Sequence, residues 1–328
     1  MRRGSGWKLA GILLYSLLGA SAGRPAEDGS TALDPGLKAY QPASGLKGTL
    51  RSVGSDTLHP LMKAWADRFT SFHPDVRFDI EGKGSNTAPP ALIAGSSQLS
   101  PMSRALHASE IDAFEQKFGY KPRGIRSAVD SICVFVHKDN PLRRLSLDQV
   151  DAIFSKTRLR GGKEIRTWGD LGLSGDWASQ TVRIYGRNSL SGTYVFFKDH
   201  ALKGGEFRED LKELEGSAAL VREVSEDRGG IGYCGVGYST PGVRALPLSE
   251  TASAPAVEPT AVNAYAGDYP LSRILFVYFN QPPRRDQDPL VREFIRMVCS
   301  REGQELVLKE GYFPMPAGVA RDELAKAD

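Results

Sequence analysis

The sequence predicts an α/β protein. Three observations carry this. Strand-like and helix-like segments alternate from Thr49 to the C-terminus, a pattern that builds sheets covered by helices, mostly parallel ones. A hydrophobic content of 41% with 9% aromatics is enough to build a packed core and argues against disorder. The 328 residues are long enough for two domains.

The elements follow in order. Residues 50–53 form a short strand. Leu61, Met62, Trp65, Phe69 and Phe72 then recur at helical spacing. Residues 76–80 alternate as a strand does, and a helix begins at 91–93. Ile132-Cys133-Val134-Phe135-Val136 reads as a buried strand and ends in the turn Asp139-Asn140-Pro141. A helix follows over 147–154, a strand over 182–185 and a helix over 194–202. Near the end come a strand at 274–279 and one long amphipathic helix over 289–308. Residues 252–261, rich in Ala, Pro, Ser and Thr, form a surface loop.

Residues 1–22 read as a secretory signal. Arg2, Arg3 and Lys8 form a basic start, and 9–18 is an apolar stretch shorter than the roughly 20 residues of a membrane span. Ala20-Ser21-Ala22 supplies the small-x-small cleavage pattern, so Gly23 begins the mature chain. No Cys follows to take a lipid anchor. Residues 23–46 form a flexible leader. Export places the chain in an oxidising compartment, yet Cys133, Cys234 and Cys299 permit at most one disulfide. Cys133 acts as small apolar filler.

The chain has 42 Lys+Arg and 39 Asp+Glu. The three extra cations all lie in the signal, so the mature body carries no excess charge. That weakens a nucleic-acid-binding reading, which needs an excess of clustered Lys and Arg.

Small, hydroxyl-bearing residues sit between a strand and a helix in three places. These are Gly54-Ser55-Asp56-Thr57-Leu58-His59-Pro60, the stretch from Gly82 to Pro90 through Gly84-Ser85-Asn86-Thr87, and Gly186-Arg187-Asn188-Ser189-Leu190-Ser191-Gly192-Thr193. A helix start exposes unpaired N–H donors and the positive end of its dipole, and so suits an anion. Ser and Thr add hydroxyl donors, and Gly lets the backbone approach a ligand. Ordinary helix capping uses the same residues, and spacing alone leaves both readings open. Arg187 adds a planar fork that matches phosphate or carboxylate oxygens.

Other motifs fail. No Walker A sequence, HExxH pair, zinc-ligand spacing or GxSxG elbow is present. Gly230-Ile231-Gly232-Tyr233-Cys234-Gly235 matches GxGxxG, but Val236-Gly237-Tyr238-Ser239-Thr240-Pro241-Gly242 behind it cannot be the helix that motif opens. No cofactor or metal is expected.

From Thr49 to Gly318 the chain resembles the phosphate-binding proteins of Pst-type ABC transporters. The resemblance rests on Gly54-Ser55-Asp56-Thr57, Gly84-Ser85, Asp139-Asn140-Pro141-Leu142, Thr167-Trp168-Gly169-Asp170-Leu171, Arg187 with Ser191-Gly192-Thr193, Gly229-Gly230-Ile231-Gly232-Tyr233, Tyr269-Pro270-Leu271-Ser272-Arg273, Ser300-Arg301-Glu302-Gly303-Gln304 and Gly311-Tyr312. It implies the two-lobe periplasmic-binding-protein (Venus-flytrap) α/β fold with a two-stranded hinge. Lobe one would comprise 47–128 and 263–328, and lobe two 129–262. It further implies a periplasmic, monomeric, non-enzymatic protein that holds inorganic phosphate in its cleft and delivers it to a membrane permease of a phosphate ABC transporter.

Carried over by position, Thr57 and the Leu58 amide serve from the first turn, Ser85 from the second, and Arg187, Ser191, Gly192 and Thr193 from the third. Ser103 and Arg104 stand where many family members carry a Ser-Asp pair whose carboxylate accepts the phosphate proton and so rejects sulfate. Arg104 removes that acceptor and adds a cation. Asp130 is then the expected acceptor, with Asp56 second. Two rivals remain: binding of another tetrahedral oxyanion (sulfate, arsenate or molybdate), and a phosphatase on the same scaffold.

Overall fold

The structure, a computed structural model, describes residues 32–283 and 288–326. The signal over 1–22 and the first part of the leader lie outside the described residues. Residues 32–47 contain no helix or strand, yet Leu37 and Tyr40 are buried in the first hydrophobic core, and the Tyr40 hydroxyl meets His73 Nε2 at 2.7 Å.

The chain then runs through β1 (Gly48–Val53), α1 (His59–Phe72), β2 (Val76–Glu81), α2 (Ala88–Ala94), β3 (Ser100–Met102), α3 (Ala108–Phe118) and β4 (Arg123–His137). Next come β5 (Leu145–Ser146), α4 (Leu147–Phe154), β6 (Arg183–Arg187), α5 (Gly192–His200), β7 (Lys212–Leu214), α6 (Ser217–Glu226), β8 (Gly230–Gly235), β9 (Val243–Ala245) and β10 (Leu248–Ser249). The last elements are α7 (Ala261–Ala266), β11 (Ser272–Phe279), α8 (Pro289–Val298), α9 (Arg301–Lys309) and α10 (Ala317–Leu324).

Two main cores form. The first gathers Leu50, Trp65, Phe69, Ile125, Val277 and Phe294, and the second Ile132, Val150, Phe154, Trp168, Phe197 and Tyr233. Tyr269 and Leu271 pack in the second. Burying each of these large side chains stabilises the fold by about 1.5–3 kcal/mol. Strand β4 passes from one core to the other. Its first part, to Ser131, pairs with β11, and from Ile132 onward it pairs with β8.

That crossing changes the expected sheet. The long sheet runs β3-β11-β4-β8-β6-β7, with β9 also on β4. It is mixed, not mostly parallel: β11 is antiparallel to β3 and β4, and β4 to β8 and β9, while β6 is parallel to β7 and β8. A chain that leaves one lobe along β4 and returns along the neighbouring β11 must reverse direction.

The expected single helix over 289–308 is two helices. Ser300 caps α9, its hydroxyl accepting from the Gly303 N–H at 3.3 Å. The turn is tight enough that a Cβ on Gly303 would lie 2.2 Å from the Met297 carbonyl oxygen. The Gly230–Gly235 run is strand β8, which excludes the dinucleotide turn on geometric grounds.

Candidate anion-binding site

Backbone bonds tie the first two turns to β3. Gly54 N–H donates to the Glu81 carbonyl at 2.9 Å, Gly84 N–H to Gly54 at 2.8 Å and Ser55 N–H to Pro101 at 2.8 Å. Gly54 is required here, since a Cβ would lie 2.2 Å from the Pro101 carbonyl oxygen. This knot brings Thr57, Ser85 and Ser103 to one place. Ser103 N–H donates to Ser85 Oγ at 3.0 Å, and the two hydroxyls are 3.1 Å apart. Leu58 caps α1 with its side chain in the first core, and its N–H lies 3.4 Å from Ser55 Oγ. The Tyr312 hydroxyl supports this turn from behind, donating to the Thr57 carbonyl at 2.7 Å.

The third turn meets them from the second core. Ser191 caps α5, its hydroxyl accepting from Thr193 N–H at 3.1 Å and Tyr194 N–H at 3.3 Å. Gly192 N–H is left without a partner among the described residues. Thr193 Oγ1 lies 3.1 Å from Thr57 Oγ1. A Cβ on Gly192 would lie 2.4 Å from Ser85 Oγ and 2.6 Å from Ser103 Oγ. Four buried hydroxyls, two pairs, therefore gather at the first turn of α5.

Two buried guanidinium groups flank them, each matched by a carboxylate. Arg187 Nη1 meets Asp56 Oδ2 at 2.9 Å and donates to Ser217 Oγ at 2.6 Å. Ser217 donates its own N–H and hydroxyl to the same Asp56 oxygen, both at 3.1 Å. Arg273 Nη2 and Nε meet Asp130 Oδ2 at 2.8 and 2.9 Å. Asp130 Oδ1 accepts from Val236 N–H at 3.1 Å. Burial is the largest influence on the Asp130 carboxyl and pushes it above the usual carboxylate range, against the pull of Arg273 and of the backbone N–H groups.

Arg104 is placed differently from the others. Its Nε and Nη2 donate to Asn86 Oδ1, and Nη1 and Nη2 to the Glu110 carboxylate at 2.8 and 2.6 Å. Asn86 in turn donates across the cleft, from Nδ2 to the Ser189 carbonyl at 2.8 Å and from N–H to Leu190 at 3.0 Å. Arg104 thus stands behind the second turn, and Asp130 reaches the hydroxyl cluster through Arg273.

Arg273, Ser217 and Asn86 were not singled out by sequence as site residues. For Arg273 a signal existed. Asp130 stands two residues before the apolar run 132–136, where a buried acid needs a counter-ion, and Arg273 immediately precedes the apolar strand expected at 274–279. Among the described residues no group of His, Cys, Asp and Glu could hold a metal ion, and no helix is long and apolar enough to cross a membrane.

A PBP superfamily domain matches residues 39–302. The chain is 50% identical to "Phosphate-binding protein PstS" of Pseudomonas aeruginosa, over 94% of this chain and 96% of that one. The chain belongs to the PstS family of the PBP superfamily. The PstS of Staphylococcus haemolyticus is 28% identical over 97% of this chain and 95% of its own length. Among solved structures, a putative phosphate ABC transporter substrate-binding protein of Clostridium perfringens with bound phosphate is similar, with TM-score 0.69, 25% identity, and coverage of 82% of this chain and all of that one. An ABC-type phosphate transport receptor of Vibrio cholerae shares the fold, with TM-score 0.63 at 20% identity and coverage of 82% of this chain and 100% of that one.

Proposed function

We propose that the protein captures inorganic phosphate between its lobes and delivers it to the membrane permease of a phosphate ABC transporter. The observation that carries this is the meeting of Thr57, Ser85 and Ser103 from one core with Gly192 and Thr193 from the other, at a helix start with an unpartnered N–H. Family membership at 50% identity to a phosphate-binding protein supports it.

In this reading lobe one comprises 47–128 and 263–328 and lobe two 129–262, with Tyr269 and Leu271 reaching back into the second core, and residues 1–22 direct export to the periplasm. The hydroxyls of Thr57, Ser85, Ser103, Ser191 and Thr193 and the backbone N–H groups of Leu58, Gly192 and Thr193 surround the anion. Arg187 supplies charge, Arg104 holds Asn86 across the cleft, and Asp130 serves through Arg273. Phosphate favours the closed state because only there do donors from both lobes reach it. The protein acts as a monomer, without a cofactor, without nucleic acid and without catalysing a reaction on its ligand.

Titration calorimetry with phosphate, sulfate, arsenate and molybdate from about pH 5 to about pH 8 tests this. Phosphate should bind best, with an affinity that follows its second protonation. Equal or tighter sulfate binding would overturn the phosphate assignment. Hydrolysis of a phosphate ester that is lost in Ser191→Ala would overturn the non-enzymatic one.

A further inference from the structure

Arg273 belongs to none of the three turns, yet it touches three of the groups they assemble. It lies opposite Asp130 in the β11–β4 register, and both side chains are buried. Its Nη2 donates to Thr193 Oγ1 at 3.0 Å and lies 3.5 Å from Thr57 Oγ1, while Nη1 donates to the Ser103 carbonyl at 3.1 Å. The guanidinium also sits 5.8 Å from the centre of the Phe196 ring, on α5.

A guanidinium only donates, whereas a hydroxyl has one proton and two lone pairs. Arg273 therefore occupies a lone pair of Thr193. The contact between Thr193 and Thr57 at 3.1 Å uses at most one of their two protons. The other proton has no acceptor among the described side chains and is available to a ligand. Without a donor-only neighbour, the same hydroxyls could turn lone pairs outward and accept as readily as donate. With Arg273 behind them, they are set to donate.

We propose that Arg273 is a positioning and specificity-determining residue: it turns the Thr57 and Thr193 hydroxyl protons toward the bound anion, with Asp130 as its buried counter-ion. This rests on the phosphate reading above. Asp130 then does not itself take the ligand's proton, since its Oδ2 already accepts twice from Arg273. Thr193 lies on α5, on the opposite side of the cleft from Arg273 and Thr57, so the bond between Arg273 and Thr193 forms as the lobes close.

The test is a double-mutant cycle on phosphate affinity, measured by calorimetry for wild type, Arg273→Gln, Arg273→Lys, Thr193→Val and the Arg273→Gln/Thr193→Val double variant. Arg273→Gln should weaken phosphate binding about 30-fold, the size expected for charge-assisted hydrogen bonds, and Arg273→Lys should recover part of that. The double variant should be within about threefold of the weaker single variant, because both remove one shared interaction. Independent, multiplying effects, or Arg273→Gln binding within about threefold of wild type, would overturn the proposal.

Arg273→Gln leaves Asp130 buried without a partner and can unfold the protein. The Asp130→Asn/Arg273→Gln variant removes both charges and should show the same loss, and wild-type affinity in it would equally overturn the proposal. Wild-type protein that fails to bind phosphate would sink the functional reading instead. The cycle is then run with whichever oxyanion the wild type binds.

Discussion

Replacing Gly192 by Ala separates closure from folding. Gly192 is the first residue of α5, a position whose helical backbone Ala adopts as readily as Gly. The closest contacts of the added methyl group come from across the cleft. The nearest atoms to its Cβ are Ser85 Oγ at 2.4 Å, Ser103 Oγ at 2.6 Å and Ser85 Cβ at 2.8 Å, all from turns packed on the first core. Each is about 1 Å inside ordinary contact distance. The overlap exists only when the two lobes meet. Overpacking of this kind costs about 1–3 kcal/mol, and here the whole cost falls on the closed, ligand-holding state. Phosphate affinity should therefore drop by about 5- to 150-fold. The thermal midpoint of the ligand-free protein should stay at or slightly above that of wild type. Calorimetric titration gives the first quantity and a melting curve without phosphate the second. Unchanged affinity would refute the convergence of the turns at α5. A ligand-free midpoint several degrees lower would show that the methyl group clashes within the fold and not across the cleft.

Three further outcomes follow from the same geometry. Asn86→Ala removes the bond to Ser189 across the cleft and should raise the phosphate release rate about fivefold in stopped-flow measurements, with association nearly unchanged. Phosphate affinity should change less than about threefold between about 0.05 M and about 0.5 M salt, because the charges of the site are buried and locally paired, and a steep slope would refute this. Burial pushes the Asp227 carboxyl up, but Arg183, the Tyr185 hydroxyl and the Gly229 N–H outweigh it and hold the carboxyl below its ordinary value of 3.8. A depressed folded value adds stability above the ordinary value of 3.8 and loses it as the pH falls below that, so Asp227→Asn should lower the melting point at neutral pH, by an amount that shrinks on acidification below 3.8.

The elements most legible in the sequence are those whose burial has a simple period. α1 shows its apolar stripe directly, and α4 matches the expected 147–154. β4 was visible only over 132–136, where the run is wholly apolar, although it spans Arg123–His137. Its earlier part carries Arg126, Ser127 and Asp130, polar residues that interrupt the apolar pattern. Each is in fact paired with a residue far along the chain: Arg126 with Glu323, Ser127 with the Leu275 carbonyl and Asp130 with Arg273. The same distance hid part of the site. Hydroxyls at a strand-to-helix join are a local signal, so the three turns could be read. Arg273 acts on Asp130 from 143 residues away, a link that only the β4–β11 pairing creates. Arg104 was legible as a departure from the family pattern but not as a partner of Glu110 and Asn86.

The balanced charge of the chain body reappears inside the site. A buried guanidinium without a partner would cost several kcal/mol in the folded protein before any ligand arrived. Pairing Arg187 with Asp56 and Arg273 with Asp130 removes that cost, and it also removes net positive charge as the source of attraction. What remains to recognise an anion is the direction of fixed donors: the Gly192 N–H and the hydroxyl protons. Such donors left facing one another without a ligand are poorly satisfied, so an anion gains from every one of them at once. A neutral molecule with donors of its own gains less, because Arg273 already occupies a lone pair of Thr193. Selectivity for a bare-oxygen anion over a hydroxylated neutral ligand thus follows from proton direction, even in a site whose formal charges cancel.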